Sequence, residues 1–282
     1  MISKELHPSP LRYPGGKASL SKYIKSIIDN NNIRGIEYAE PFAGGAGLAL
    51  SLLFDGYVSH IYLNDLDTSV FAFWASILEQ PDDFCVFLEK TAVTPEQWFI
   101  QKHILSNPSQ YSLFELGFAT FFLNRTNHSG ILQGGIIGGY HQDGKYKLDC
   151  RFNKINLKKK IKDIVSWRNY ITLTRFDGCE FITDVVNNNP NDCLTFIDPP
   201  YYQKGPKLYY NAFKHSDHIK LAKLIQNDLQ GKWIVTYDDV PEIRNMYVNS
   251  PIVPYEINYS LSVKRKGQEV MFHSSDLLIP SI

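Results

Sequence analysis

The stretch Gly35-Ile36-Glu37-Tyr38-Ala39-Glu40-Pro41-Phe42-Ala43-Gly44-Gly45-Ala46-Gly47 decides how this chain folds. Residues 35–39 read as a strand, and Glu40 to Gly47 as a glycine-rich turn. Leu48 to Phe54 then reads as a helix, and His60 to Asn64 as a second strand that ends at Asp65. Strand, glycine loop, helix, strand, acid is the pattern of a parallel α/β unit. Glycines between a strand and a helix let backbone approach a ligand, and the helix N-terminus carries partial positive charge. An acid ending the next strand can accept hydrogen bonds from ribose hydroxyls. The spacing is not GxGxxG, so the loop alone is equally readable as a tight packing turn.

On the N-terminal side, Tyr23, Ile24, Ile27 and Ile28 recur at helical spacing and predict a helix over Leu20 to Ile28. Gly15-Gly16-Lys17 is no phosphate-binding P-loop, because Ala18 follows the lysine and the upstream glycine and strand are missing. On the C-terminal side the pattern changes. Val70 to Leu88, Thr94 to Ile104 and Lys154 to Trp167 read as helices, and Leu113 to Leu123 as a strongly apolar run that leads toward a glycine-rich stretch with Gly134, Gly135, Gly138 and Gly139. Strand patterns resume at Tyr170 to Thr174, Cys193 to Ile197 and Trp233 to Thr236, with a helix at His218 to Leu229. Tyr255 to Val263 and Glu269 to Phe272 read as an antiparallel hairpin around a basic tip. These patterns predict one α/β sheet, residues 1–69 and 165–282, interrupted by a helical insertion over 70–164.

Composition limits the alternatives. The chain has 282 residues, 44% of them hydrophobic, enough for a sizeable core. Lysine plus arginine equals aspartate plus glutamate at 29 each, so net charge points to no polyanionic partner, although local basic faces remain open. No apolar run is long enough for a membrane span, and the first residues carry no apolar signal core, so a cytoplasmic protein is expected. Cys85, Cys150, Cys179 and Cys193 form no CxxC pair, and His215 and His218 have no third ligand nearby, so no metal is expected.

The chemistry-bearing motif is Asp198-Pro199-Pro200-Tyr201. It follows the apolar run Cys193 to Ile197, and therefore lies at a strand's C-terminal end, where open α/β sheets bind ligands. Its prolines stiffen the turn and cannot donate backbone hydrogen bonds, but their carbonyls can accept. Methyl transfer to an exocyclic amine needs such a group. The amino lone pair is delocalised into the base, and two acceptors on its hydrogens favour a more nucleophilic nitrogen. Asp198 and the Pro199 carbonyl can supply them, and Tyr201 can stack on the base. A sulfonium methyl donor needs mainly positioning, without a metal or covalent intermediate. A rigid turn after a strand is the plain structural alternative; the glycine loop and Asp65 weigh against it.

With these residues in view, the chain resembles the Dam-like, alpha-group adenine-N(6) DNA methyltransferases over nearly its whole length. Leu11-Arg12-Tyr13-Pro14-Gly15-Gly16-Lys17 resembles the family's WAGGK-type segment, and Pro41 to Gly47 its PFxGxGS-type loop. The resemblance implies a Rossmann-like S-adenosylmethionine-dependent methyltransferase sheet with an inserted DNA target-recognition domain. It implies cofactor contacts from Tyr13, Lys17, Pro41, Phe42, Gly44, Gly45, Gly47, Asp65, Asp177 and Asp198. Leu123 to Ile131 resembles the Dam LNRYGYNGL segment, which makes Arg125, Asn127, His128 and Ser129 candidate DNA contacts. His128 stands where Dam has a wedging aromatic, and Gln133 where it has a guanine-reading arginine, which points away from GATC. Lys158-Lys159-Lys160 and the hairpin cluster Lys264-Arg265-Lys266 become candidate phosphate contacts. The expected partner is double-stranded DNA, with a cognate restriction endonuclease as a further candidate, and the expected state is a monomer in a bacterial cell or phage-infected host. The alternatives are an RNA- or protein-directed amine methyltransferase, or an inactive binding module.

Overall fold

The computed structural model describes residues 7–13, 15–189, 193–203, 213–259 and 265–280, with the side chains of 257–259 and 265–266 outside the description. The chain divides into two units: Met1–Gly16 with Thr68–Asn169, and Lys17–Asp67 with Tyr170–Ile282. The expected division put residues 1–16 with the sheet; the structure groups them with the helices. The reason is local. Asn124 accepts from the Arg12 N–H at 2.7 Å and donates to the Arg12 and Gly130 carbonyls, each at 2.9 Å.

The sheet unit holds β1 (Ile36–Glu40), β2 (Val58–Asn64), β3 (Ile171–Thr174), β4 (Cys193–Ile197), β5 (Lys232–Asp238), β6 (Ile252–Tyr259) and β7 (Arg265–His273). Their order is β3-β2-β1-β4-β5-β7-β6. The first five pair in parallel, while β7 runs antiparallel to β5 and β6. This is a Rossmann-like sheet, with its order reversing between β1 and β4. Every residue of β4 is buried, which its unbroken apolar run requires. Around the sheet lie α1 (Ser21–Asn30) and α2 (Gly47–Phe54). A short α8 (Gly178–Phe181) continues into a π-helical turn over Ile182–Val186, and α9 (His215–Asn227) and α10 (Pro241–Met246) follow.

The helical unit holds α3 (Thr68–Glu79), α4 (Pro81–Lys90), α5 (Pro95–Ser106), α6 (Leu113–Thr126) and α7 (Lys154–Ser166). The single helix expected over Val70 to Leu88 is two, because Pro81 cannot continue a helix but can begin one. Thr94, Ser112 and Asn153 cap α5, α6 and α7. The core is aromatic: Phe73 stacks on Phe121 at 5.8 Å, and Phe84 meets both edge-on. Gly117 lets α6 lie against α3, since a Cβ there would stand 2.4 Å from the Ala72 carbonyl oxygen. Among the described residues no helix is long and apolar enough to cross a membrane.

Candidate active site

Asp198 leaves the end of β4 at the point where the strand order reverses. Its Oδ1 accepts from Lys17 Nζ at 2.6 Å and from Thr236 Oγ1 at 2.8 Å. No donor meets its Oδ2 or the Pro199 carbonyl among the described residues. The side chain keeps 23% exposure, whereas the Lys17 side chain keeps 3%. Burial raises the Asp198 pKa; Lys17 opposes this and Glu269 adds to it. Burial works against the Lys17 charge, yet Asp198, Tyr255 and Glu269 together hold its pKa above the ordinary lysine value.

Glu269, on β7, closes the cluster. Its Oε1 accepts from Tyr201 OH at 2.8 Å and its Oε2 from Tyr255 OH at 2.5 Å, with Lys17 Nζ 3.5 Å away. Lys17 also donates to Tyr201 OH at 3.1 Å. Tyr201 was expected to offer its ring to a base. That expectation needs correction for this conformation, because the ring is only 2% exposed and its hydroxyl is held by Lys17 and Glu269. Lys17 sits on the Asp198 carboxylate itself, with its ammonium 5.1 Å from the Tyr201 ring centre. Asp238 fixes the following turn, accepting from the Tyr202 and Gln203 N–H groups at 2.9 Å each.

The glycine loop lies at the end of β1. Gly44 has φ 47° and Ala46 has φ 46°, left-handed values that turn the chain into α2. The Gly44 N–H donates to Asp65 Oδ2 at 2.8 Å, and the Asp67 N–H to Asp65 Oδ1 at 3.0 Å. Burial pushes the Asp65 carboxyl up to about 7. Asn64 ties the neighbouring turns together, donating to the Pro41 and Phe176 carbonyls and accepting from the Phe176 N–H. Phe42 lies over Gly178, where a Cβ would come within 2.5 Å of its ring, and meets Phe213 edge-on at 5.6 Å. Asp177 caps α8, accepting from the Cys179 N–H at 2.9 Å. Glu40 accepts from the Ala49 N–H at 3.1 Å and from Tyr38 OH at 3.0 Å, and burial pushes its carboxyl up to about 8.

A family model for D12 class N6 adenine-specific DNA methyltransferases matches residues 13–261. The chain belongs to this family. It is an enzyme, an adenine-specific DNA methyltransferase, and S-adenosylmethionine is its methyl donor. A comparison with curated proteins finds no match. Among solved structures, a protein of Pyrococcus horikoshii provisionally assigned as an RNA methyltransferase is 12% identical, with 95% of this chain and 88% of that one covered and a TM-score of 0.45. The rRNA methyltransferase aviRa of Streptomyces viridochromogenes is 11% identical, with 94% and 88% covered and a TM-score of 0.40.

The donor set of the D12 enzyme suits the adenosyl part of that cofactor. Asp65 accepts one backbone hydrogen bond on each oxygen and has lone pairs left for hydroxyls. Gly44 and Gly45 bring bare backbone beside it, and Phe42 and Gly178 form an apolar surface next to the Asp177 carboxylate. Tyr13 falls in the helical unit and Lys17 in the sheet unit.

The segment expected to contact DNA separates into exposed and interior residues. His128 and Gln133 are exposed, and Gln133 accepts from Lys102 at 2.9 Å. Ser129 is half-buried at φ 59°. Asn127 is a correction: it is fully buried, accepting from Trp98 Nε1 at 2.6 Å and donating to the Ile131 and Leu132 carbonyls at 3.0 Å each. It holds the turn together and offers nothing to DNA. Arg125 donates to the Arg151 and Pro10 carbonyls. Lys158 pairs with Glu89, and Lys159 with Asp163 at 2.7 Å. Lys264 lies outside the described residues, as do the side chains of Arg265 and Lys266.

Sequence reasoning missed Glu269, Thr236, Tyr255 and Glu40. The available signal was an acid, Glu269, directly before the apolar run Val270-Met271-Phe272. A charge in a buried strand must be paired.

Proposed function

We propose that the enzyme methylates the exocyclic N6 of an adenine turned out of duplex DNA. The observation that carries this reading is a pair of acceptors at the end of β4, Asp198 Oδ2 and the Pro199 carbonyl, that meet no donor among the described residues. An amino group presents two hydrogens, and these two acceptors suit them. Thr236 and Lys17 hold the other carboxylate oxygen, so Asp198 keeps its orientation without using Oδ2. Glu269 and Tyr201 anchor Lys17 in turn. S-adenosylmethionine, when bound, supplies an electrophilic methyl group on its sulfonium. The carboxylate pulls on the amine hydrogens as nitrogen gains positive charge, and takes the proton that this charge makes acidic. The cost of extruding the base falls to contacts with the DNA backbone and groove. His128, Ser129 and Gln133 are the candidates on the recognition segment. The enzyme acts as a cytoplasmic monomer, in a restriction-modification pair or as an orphan modification enzyme.

Single-molecule sequencing of DNA from cells expressing the protein is expected to show N6-methyladenine in one sequence context. Unmodified DNA alongside retained cofactor binding would leave a binding module, and methylated RNA would move the substrate.

In the cofactor pocket, Asp65 takes the ribose hydroxyls. Its pKa of about 7 makes the carboxyl neutral below that pH and ionised above it. The ionised form is the better acceptor, so cofactor affinity is expected to rise as pH rises through 7. Asp65→Asn should weaken binding about tenfold at pH 8 and flatten the profile. Titration calorimetry at pH 6 and 8 checks this; a variant with wild-type affinity at pH 8 contradicts the assignment.

A further inference from the structure

A cavity opens in the helical unit between α4, α5 and the start of α6. It encloses about 640 Å³, within the range of about 300–1,000 Å³ typical of small-molecule sites. Phe87, Ile100, Ile104 and Tyr111 give it apolar walls, and Gln101 and Glu115 set polar groups among them. Such a lining, mostly apolar with a few placed polar groups, is the usual make-up of a ligand site.

Packing accounts for part of this. Phe87 meets Phe118 edge-on at 4.6 Å, and Ile104 is buried. An exposed apolar side chain taken singly needs no explanation, but Phe87 and Ile100 keep 42% and 53% exposure around one cavity. Packing does not account for Gln101. It is 2% exposed and borders the cavity, and its Oε1 meets no donor among the described residues. A buried acceptor left unmatched is costly, and a donor carried in by a ligand removes that cost.

Charge narrows the ligand. Hydrogen bonds from the Ser112 hydroxyl at 2.7 Å and N–H at 2.8 Å, both to Oε2, hold the Glu115 carboxyl below its ordinary pKa and keep it ionised. Its Oε1 meets no donor among the described residues. No lysine or arginine borders the cavity among the described residues. Lys102, the only lysine of α5, turns instead to the Leu132 carbonyl at 3.1 Å and to Gln133 at 2.9 Å. His103, edge-on to Tyr111 at 6.1 Å, is the only bordering group that can gain positive charge. A phosphate or carboxylate would be repelled by Glu115. An ammonium would be attracted both by that carboxylate and by the faces of the aromatic rings.

We propose that this cavity binds an aromatic amine, its ring among Phe87, Ile100, Ile104 and Tyr111, a ring N–H or O–H on Gln101, and its ammonium on Glu115. The site involves neither the methyl donor nor DNA.

The test is a ligand-observed NMR titration of tryptamine, indole and indole acetate into wild type, Glu115→Gln, Gln101→Leu and Ile100→Trp, beside a thermal melt of each variant. Tryptamine is expected to bind saturably, about fivefold more tightly than indole, as one exposed ion pair allows. Indole acetate should bind more weakly than either. Glutamine can take the place of glutamate in the α6 cap, so Glu115→Gln should stay folded and bind tryptamine and indole alike. Gln101→Leu should weaken indole and leave N-methylindole, which has no N–H to give, unchanged. Ile100→Trp fills the cavity from an exposed position and should abolish tryptamine binding. Tryptamine bound no more tightly than indole acetate would overturn the assignment to an amine. Binding that a folded Ile100→Trp protein retains, or no saturable binding of tryptamine to wild type, would overturn the site.

Discussion

Asp198→Ala is expected to lower methyl transfer about a thousandfold, with the fold retained. The fold survives because Lys17 still has Glu269 at 3.5 Å and Tyr201 OH at 3.1 Å. Transfer fails because the Pro199 carbonyl alone cannot engage both amine hydrogens or take the proton. Asp198→Asn is the sharper variant. Its oxygen can keep the bonds from Lys17 and Thr236, which places a donating amide nitrogen at the position now held by Oδ2. A donor facing an amine hydrogen repels it. The expected loss therefore lies in kcat, with KM for DNA little changed. The measurement is tritiated methyl incorporation beside a thermal melt of each variant. Near-wild-type turnover in a folded Asp198→Ala protein would remove Asp198 from the reaction.

Lys17→Met should have the largest effect on stability. It leaves Asp198 and the fully buried Glu269 side by side with no cation between them. Removing one partner of a buried pair costs about 3–5 kcal/mol, because the remaining charge stays unmatched. The loss has a defined pH dependence. Burial already raises the folded-state pKa of Asp198, and Lys17 is the main group opposing it, so the variant's value is higher still. A carboxyl whose folded pKa exceeds its unfolded value is protonated in the folded state and not in the unfolded one between the two. That contribution is fully present below the unfolded pKa and is lost as pH rises through the folded pKa. The gap between variant and wild type in urea denaturation should therefore be wider at pH 8 than at pH 5. A gap equal at both pH values would mean that the carboxylates find another partner.

Both predictions depend on contacts that span the chain. Lys17 and Asp198 lie 181 residues apart, and Tyr201 and Glu269 lie 68 apart. Their own neighbourhoods give no hint of these pairings. Gly15-Gly16-Lys17 reads as a loop, and Glu269 as one acid in a strand. Asn127 shows the opposite error. It sits in a segment resembling a DNA-contacting one, yet packing turns it inward to Trp98. Helix α6 ends at Thr126, and the next residue's side chain is directed by the turn, which sequence spacing does not encode.

The Gly35 to Gly47 stretch and the apolar run before Asp198 set the fold by themselves. Their signals are local: short apolar runs, glycines where the backbone turns left-handed, and acids at strand ends. Local periodicity survives in the sequence because each strand and helix must bury one side wherever it docks. The identities of the motif residues likewise set the class of chemistry. Tertiary structure alone decided the partners. It placed Lys17 and Thr236 on one oxygen of Asp198, with no donor on the other among the described residues, and buried Tyr201. Such pairings depend on which surfaces meet when the sheet closes, and desolvation at those meetings sets the pKa values that follow.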